Sequence, residues 1–246
     1  MSGHSKWSTI KHRKGAKDAR RGKLFAKLAR AIEVAAREGG GDPGFNPTLA
    51  TAVEKAKAAS MPNDNIDRAI KRGTGEVEGA SYEEIWYEGY APGGVAMYVH
   101  VLTDNRNRAA SDVRTTFTRN GGSLGEPGTV AYLFEVKGYF LVSGDEEEVM
   151  LAAIDAGAED IRASGELWEV ITSPSDFKAV REALDEAGIA VESAEITRLP
   201  TTSVPLAEDK ARQVLRLVDA LEDLDDVQTV YGNFDISDEV MAAVAG

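Results

Sequence analysis

Residues 17–41, KDARRGKLFAKLARAIEVAAREGGG, carry two patterns at once. At about 100° per residue, Leu24, Leu28, Ala31, Ile32 and Ala35 fall within about 60° of one direction, while Arg20, Lys23, Lys27, Arg30 and Arg37 gather on the other side. The spacing predicts one long helix with an apolar stripe and a basic stripe, ended by Gly39-Gly40-Gly41. Lys17 and Arg21 depart from the pattern, lying toward the apolar direction near the start, where the helix is expected to project beyond its packing partners. Downstream, Leu49, Ala52, Val53, Ala56 and Ala59 mark a second helix after Pro47, stopping before Met61-Pro62. A third starts at Pro62 to Asp64, repeats apolar residues at Ile66, Ala69 and Ile70, and ends at Gly73-Thr74-Gly75. Residues 1–76 therefore read as a basic three-helix domain. A unit this small is expected to pack its apolar stripe partly on the rest of the chain, or to be marginal alone.

After Glu76 the texture changes. Val95, Met97, Val99 and Val101 alternate with Ala96, Tyr98, His100 and Leu102 as in a strand, and Thr103-Asp104-Asn105 then starts a helix with Ala109, Ala110, Val113, Thr116 and Phe117 inward. That helix ends at Asn120-Gly121-Gly122, and Val130, Tyr132, Phe134 and Val136 predict a following strand. The texture repeats with a strand at Tyr139 to Val142, a helix after Asp145, a strand at Leu167 to Thr172, a helix from Pro174 through Ala187 and a strand near Ile196. Ala211, Val214, Leu215, Val218 and Leu221 mark a last helix, and Val227 to Phe234 a last strand. The expected fold class is α+β and multidomain: the helical domain, then an α+β domain over 77–136 plus 204–246, with a second α+β domain over 137–203 inserted in it.

The 246 residues are 43% hydrophobic and 28% charged, an ordinary globular composition that disfavours wholesale disorder. No cysteine occurs, which excludes disulfides, thiolate metal sites and a cysteine nucleophile. No apolar run reaches the ~18 residues of a spanning helix, and the opening MSGHSKWSTIKHRK lacks the apolar centre of a secretory signal. No membrane partner is expected, and a cytoplasmic location is. A basic, acid-poor start also reads as an organelle transit peptide, but the helical spacing argues for a working helix.

The net charge of −13 hides opposed halves: residues 1–37 balance to +9, residues 38–75 to zero, and residues 76–246 to −22. A segregated basic segment is the electrostatic footprint of nucleic-acid binding. From charge alone it could equally dock on the acidic body or form a solvated face.

Enzymatic signals are weak. Gly121-Gly122-Ser123-Leu124-Gly125 matches G-x-S-x-G, but a helix precedes the serine, a strand follows, and no histidine lies beyond His100, so a helix-to-strand turn is the better reading. His4, His12 and His100 are too few and scattered for a metal site, and His100 reads as a satisfied strand residue. The runs Asp145-Glu146-Glu147-Glu148 and Glu222-Asp223-Leu224-Asp225-Asp226 read as helix-end charge and solvated faces. Glycine-rich stretches lack the G-K-[ST] ending or strand-first context of a nucleotide cradle. No catalytic residue, metal or cofactor is expected.

Phosphate binding needs several cations on one surface, since affinity comes from counterion release. Lys6, Lys11, Arg13, Lys14, Arg20, Lys23, Lys27 and Arg30 could supply about five to eight contacts, with Lys17 and Arg21 beside them. Trp7, inside this basic stretch, suits stacking on an unpaired base, or equally anchors the terminus. No residue stands out as a base-edge reader, so sequence specificity is unsupported. The acidic body should repel the same polyanion and so permit one orientation.

Four separated stretches resemble the YebC/PmpR family, which includes a mitochondrial translational activator. They are Met1-Ser2-Gly3-His4-Ser5-Lys6-Trp7 through Ile10-Lys11-His12-Arg13-Lys14; Met61-Pro62-Asn63-Asp64-Asn65-Ile66 through Lys71-Arg72-Gly73-Thr74-Gly75; Tyr87-Glu88-Gly89-Tyr90; and Leu102-Thr103-Asp104-Asn105-Arg106-Asn107-Arg108. The resemblance covers nearly the whole chain. Ala91, where a glycine is usual, and His100, where an acid is common, are departures that do not touch the basic helix. The resemblance implies three domains with the third inserted in the second, and cytoplasmic, non-enzymatic control of gene expression. Members are described as DNA-binding transcriptional regulators and as ribosome-associated factors that help translation through proline runs. The implied partner is thus duplex DNA, or ribosomal RNA on the ribosome; the oligomeric state is left open.

Overall fold

A computed structural model describes residues 18–245, giving the backbone alone for residues 18–20, 238 and 245. Three helices come first: α1 (Asp18–Gly39), α2 (Pro47–Ala58) and α3 (Asn63–Gly73). Asn46 joins two of them. Its side-chain oxygen accepts from Leu49 N at 3.1 Å, capping α2, and its amide donates to Ala35 O and Gly40 O at 2.8 Å each, tying off the end of α1. Ile32, Ala35 and Ala36 of α1 pack against Leu49, Val53 and Ala56 of α2, Met61, and Ile66 and Ala69 of α3. From Leu28 to Ala36 the apolar stripe is thus closed inside the helical domain, while Leu24 before it is exposed. It does not pack on the rest of the chain as expected, because α2 and α3 together supply enough apolar surface to cover it.

The helices α1 and α3 cross at Gly73, where a Cβ would lie 2.5 Å from the Glu33 carbonyl oxygen and 2.7 Å from Ala36 Cβ. Gly73→Ala is therefore expected to force the pair apart and cost about 1–3 kcal/mol. Thermal melting checks this: an unchanged midpoint would mean that the crossing re-spaces freely.

The remaining chain runs β1 (Glu83–Ala91), β2 (Val95–Thr103), α4 (Arg106–Arg119), β3 (Ser123–Leu124), β4 (Phe134–Ser143), α5 (Glu146–Asp155), β5 (Ala158–Ser164), β6 (Leu167–Thr172), α6 (Phe177–Glu186), β7 (Ala190–Pro200), β8 (Val204–Pro205), α7 (Glu208–Glu222), β9 (Val227–Gly232), β10 (Phe234–Asp235) and α8 (Asp238–Ala245). One antiparallel sheet has the order β3-β1-β2-β9 and another β5-β6-β4-β7, while β8 pairs in parallel with β10. Because β9 completes the sheet that β1 and β2 begin, the β4-to-β7 segment is a third domain inserted in the second.

Val95, Met97, Val99 and Val101 of β2 face Ala109, Val113 and Phe117 of α4 and Val214, Val218 and Leu221 of α7. Ala96 and Tyr98 point the other way, toward Trp86, Val130 and Phe134. In the inserted domain, Phe140, Val142 and Val170 pack under Val149 and Ala153 of α5 and Val180 and Leu184 of α6. The helix expected after Asp145 is α5, and Asp145 caps it by accepting from Glu147 N at 2.9 Å.

The expected strand over 130–136 forms only from Phe134 onward. Ala131–Leu133 is a 3₁₀ turn, and β4 starts at Phe134 and runs on through the expected Tyr139 to Val142 strand. The Glu88 carboxylate is the cause: it accepts from the backbone N–H of Gly128, Val130 and Ala131 at 2.7, 2.6 and 2.8 Å, winding the segment into a turn. Strands β1 and β5 and helix α8 were not anticipated. β1 carries three glutamates and a glycine that hide its alternation, and β5 is a mixed edge strand.

Candidate nucleic-acid interface

The basic stripe of α1 meets the C-terminal end of α7 and the acidic segment after it. Lys23 Nζ donates to Asp223 O at 3.1 Å and lies 3.8 Å from Asp225 Oδ1. Lys27 donates to Glu222 O. Arg30 Nη1 reaches Leu102 O at 2.8 Å, Asp225 O at 2.9 Å and Asp226 Oδ1 at 3.0 Å, with its guanidinium 4.9 Å above the Tyr82 ring. The last carbonyls of a helix have no partner within it and carry the negative end of its dipole, so cations settle there. Burial pushes the Lys27 ammonium down to about 8, against the opposing pull of Glu222, Asp223 and Asp225.

Asp226 is the centre of this clamp and is only 6% exposed. Besides Arg30, it accepts from Thr103 Oγ1 at 2.9 Å and from Arg108 Nη2 at 2.8 Å and Nε at 3.2 Å. Arg108 also donates to Asp104 at 2.7 Å, which holds the Asp104 carboxyl below its ordinary value. The stretch Leu102 to Arg108 thus links the first domain to the second. A cavity of about 210 Å³ beside it is lined by Lys23, Arg108, Asp112, Asp223, Asp225 and Asp226 among others, a net negative set unsuited to a polyanion.

The expectation of one free basic ridge therefore needs correction at Lys27 and Arg30, which are engaged within the chain, whereas Lys23 stays exposed with only a 3.8 Å contact to Asp225. The acidic run 222–226, read from sequence as a solvated face, is their receptor. Lys6, Trp7, Lys11, Arg13, Lys14 and Lys17 lie outside the described residues, as does the side chain of Arg20.

Arg21 is exposed and points elsewhere. Its guanidinium lies 5.3 Å over the ring of Phe25, which lines a groove of about 200 Å³ between α1 and α3. The floor is Phe25, Ala29, Met61 and Ala69; Asn65, Arg68 and Arg72 form the rim. Positions 21, 25 and 29 repeat every four residues along α1, and 65, 68, 69 and 72 form one stripe of α3, with Asp64 at its edge, one turn before Arg68, and Asp67 on the far side of that helix. Arg72 is half-buried and lies 3.3 Å from the buried Glu33, whereas Arg68 and Lys71 are exposed and have no ion pair with another described residue. Sequence reasoning missed Phe25, Arg68 and Arg72. The signal was present in Arg21, whose departure from the basic stripe is what aims it at the groove.

The other chemistry-bearing residues sit as follows. Ser123 is exposed in β3, paired with Tyr90 after helix α4. His100 stacks on Trp86 at 4.4 Å, with Nε2 2.8 Å from Glu84 Oε1, and this close contact is the main reason the Glu84 carboxyl sits below its ordinary value. Among the described residues no group of three or more His, Asp or Glu could hold a metal ion, and no helix is long and apolar enough to cross a membrane.

Residues 5–76 match a family model described as the TACO1/YebC protein N-terminal domain, and residues 82–234 match one described as the TACO1/YebC second and third domain. The chain belongs to the TACO1/YebC family. It is 66% identical over 250 residues to a protein of Rubrobacter xylanophilus and 61% identical over 249 residues to one of Thermobifida fusca, covering 100% of each chain in both cases. Both relatives bear the name "Probable transcriptional regulatory protein". A crystal structure of a conserved hypothetical protein from Aquifex aeolicus is 51% identical, with a TM-score of 0.80 over 91% of this chain and 94% of that one. In this TACO1/YebC chain the two matched regions meet between α3 and β1, and the Asp226 clamp bridges them a second time through space.

Proposed function

We propose that this chain is a non-enzymatic regulator of gene expression that binds nucleic acid through its helical domain, as a transcriptional regulator on duplex DNA in line with the names of its relatives. The observation that carries the reading is a groove between α1 and α3 that Arg68 and Arg72 line, with Arg21 over the ring of its Phe25, on a domain whose Lys27 and Arg30 are already engaged by the rest of the chain. Arg21 and Arg68, which have no ion pair with another described residue, suit the bidentate grip of a sugar–phosphate backbone, and Arg72, 3.3 Å from Glu33, keeps a half-exposed guanidinium beside them. Residues Lys6, Lys11, Arg13, Lys14, Lys17 and Arg20 would add contacts along the same polymer. The acidic second and third domains face it with like charge and restrict how it can lie.

A second reading, a ribosome-associated factor on ribosomal RNA, is favoured by one feature. The groove has an apolar floor with an aromatic ring, Phe25, which suits an unstacked base of a loop, and a duplex does not offer one.

The test is binding measured across a salt series for the wild type and for Arg21→Glu/Arg68→Glu/Arg72→Glu. Losing three phosphate contacts is expected to reduce the magnitude of the log–log salt slope by roughly 2–3. An Arg181→Glu control on α6 should leave it unchanged. Equal slopes for wild type and triple variant would overturn the groove as the interface. A preference of at least about 10³ for one duplex over random duplex supports the transcriptional reading, whereas co-sedimentation with ribosomes, lost in the triple variant, supports the second.

A further inference from the structure

The two helices of the inserted domain treat solvent differently. Helix α6 turns Val180 and Leu184 to the sheet and Lys178, Glu182 and Asp185 to water, as a surface helix does. Helix α5 turns Val149 and Ala153 inward, yet its outer face is also apolar: Leu151, Ile154 and Met150 are 70%, 52% and 41% exposed. At about 100° per residue these three fall within one sector of about 100°, so they form one patch rather than three scattered side chains. A helix that is apolar on both faces belongs inside a structure, and the chain leaves the outer face of this one open.

Charge decides what fits there. On the same projection Glu146 flanks the patch on one side, Glu148 and Asp155 on the other, and Glu147 closes its N-terminal end; all four are exposed and have no ion pair with another described residue. The glutamates of the first turn suit the positive end of the helix dipole, which accounts for them locally. Asp155 has no such reason, since it stands at the negative end of the helix, with no basic residue in the last turn. The wider surface has the same sign: residues 137–203 hold 15 aspartates and glutamates against 5 lysines and arginines. Those five already have partners in the chain. Lys137 Nζ lies 2.8 Å from Glu159, Arg162 Nη2 2.6 Å from Asp160, Lys178 Nζ 3.6 Å from Glu182 and Arg181 Nε 3.0 Å from Asp185, while Arg198 sits 4.7 Å over the Trp86 ring. A second copy docking by this face would bring two acidic rims together, and an anionic polymer or lipid surface would meet the same repulsion.

We propose that the outer face of α5 docks an amphipathic segment of a basic protein, whose apolar side chains cover Met150, Leu151 and Ile154 and whose lysines or arginines meet Glu146, Glu147, Glu148 and Asp155. The face is one helix of 10 residues, so the contact is a transient one. It does not rest on the nucleic-acid reading, because it lies on a different domain from the groove lined by Arg68 and Arg72 and carries the opposite charge.

The probe is a fluorescent leucine–lysine peptide with its leucines on one helical face, titrated with the full chain by anisotropy beside a leucine–glutamate peptide of the same pattern. The expected result is saturable binding of the basic peptide, weakening several-fold from about 0.05 to 0.5 M salt as screening sets in, and none of the acidic one. Leu151→Ser/Ile154→Ser removes the apolar contact and is expected to weaken binding at least about tenfold. Both side chains are exposed, so its melting midpoint should match the wild type. Glu147→Gln/Asp155→Asn keeps the apolar contact and is expected to weaken binding about twofold to tenfold. Leu24→Ser, at an exposed leucine of α1, should leave it unchanged. Equal affinity for wild type and Leu151→Ser/Ile154→Ser overturns the proposal, as does an absence of saturable binding up to about 1 mM. Equal binding of the two peptides also overturns it, because charge then selects nothing. Sedimentation equilibrium covers the remaining occupant: a wild-type dimer that is lost in Leu151→Ser/Ile154→Ser means that a second copy takes the face, and the basic partner is overturned.

Discussion

Asp226→Ala is expected to lower the melting temperature by roughly 6–20 °C and to loosen the helical domain from the second domain. Removing one partner of a buried ion pair costs about 3–5 kcal/mol, because the other charge stays behind without compensation, and each kcal/mol shifts a chain of this size by about 2–4 °C. Arg30 bears the loss: it is only 14% exposed and its contact with Asp226 is 3.0 Å. Arg108 is partly solvated and keeps Asp104 at 2.7 Å, so its share is smaller. Asp226→Asn, which retains an acceptor for Thr103, is expected to fall between. Calorimetry measures the shift, and limited proteolysis between α3 and β1 measures the loosening. A midpoint within about 1 °C of wild type, at the ~2–4 °C per kcal/mol above, would show that the clamp contributes almost nothing to stability.

Glu88→Ala is the second large effect, expected at about 3–5 kcal/mol. It strips the acceptor from three backbone N–H groups in a buried turn, and hydrogen bonds to a charged group contribute about 1.5–3 kcal/mol each without adding fully. The turn leads directly into β4, so the damage should spread to the seating of the inserted domain. Burial opposes the Glu88 charge, but the N–H groups of Gly128, Val130, Ala131 and Thr129 outweigh it and hold the carboxyl below its ordinary 4.5. A depressed carboxyl stabilises the folded chain above the ordinary value, and that contribution disappears as pH falls through the lower folded value. Glu88→Gln should therefore be less stable than wild type at neutral pH and converge with it in acid. Melting curves of the two that stay parallel down to about pH 3 would remove the charge from the account.

The helices of the first domain, their caps and ends, and the strand at β2 were legible because each depends on neighbours within a few residues. Asn46, Asn105 and Asp145 each accept from a backbone N–H two or three positions on, and Gly39 to Gly41 and Gly73 to Gly75 follow the last turns they punctuate. The basic stripe on α1 was legible for the same reason, as side chains three and four apart share a face. Where the local rule failed, a distant group intervened: the first residues of the expected 130–136 strand were wound into a turn by a carboxylate some 40 residues earlier.

What sequence could not decide was the use of that stripe. The two readings of the charge asymmetry, free for a polyanion or docked on the acidic body, have the same pattern in one dimension. The fold divides them by residue: Lys27 meets the end of α7 across 195 positions of chain, while Arg21, six residues earlier, sits over Phe25 of the groove that Arg68 and Arg72 line. By itself the sequence determined which elements form and which side of each is charged, because periodicity is local. Only the tertiary structure determined which charges are engaged within the chain and which stay exposed, because that depends on which helix end the packing brings against them.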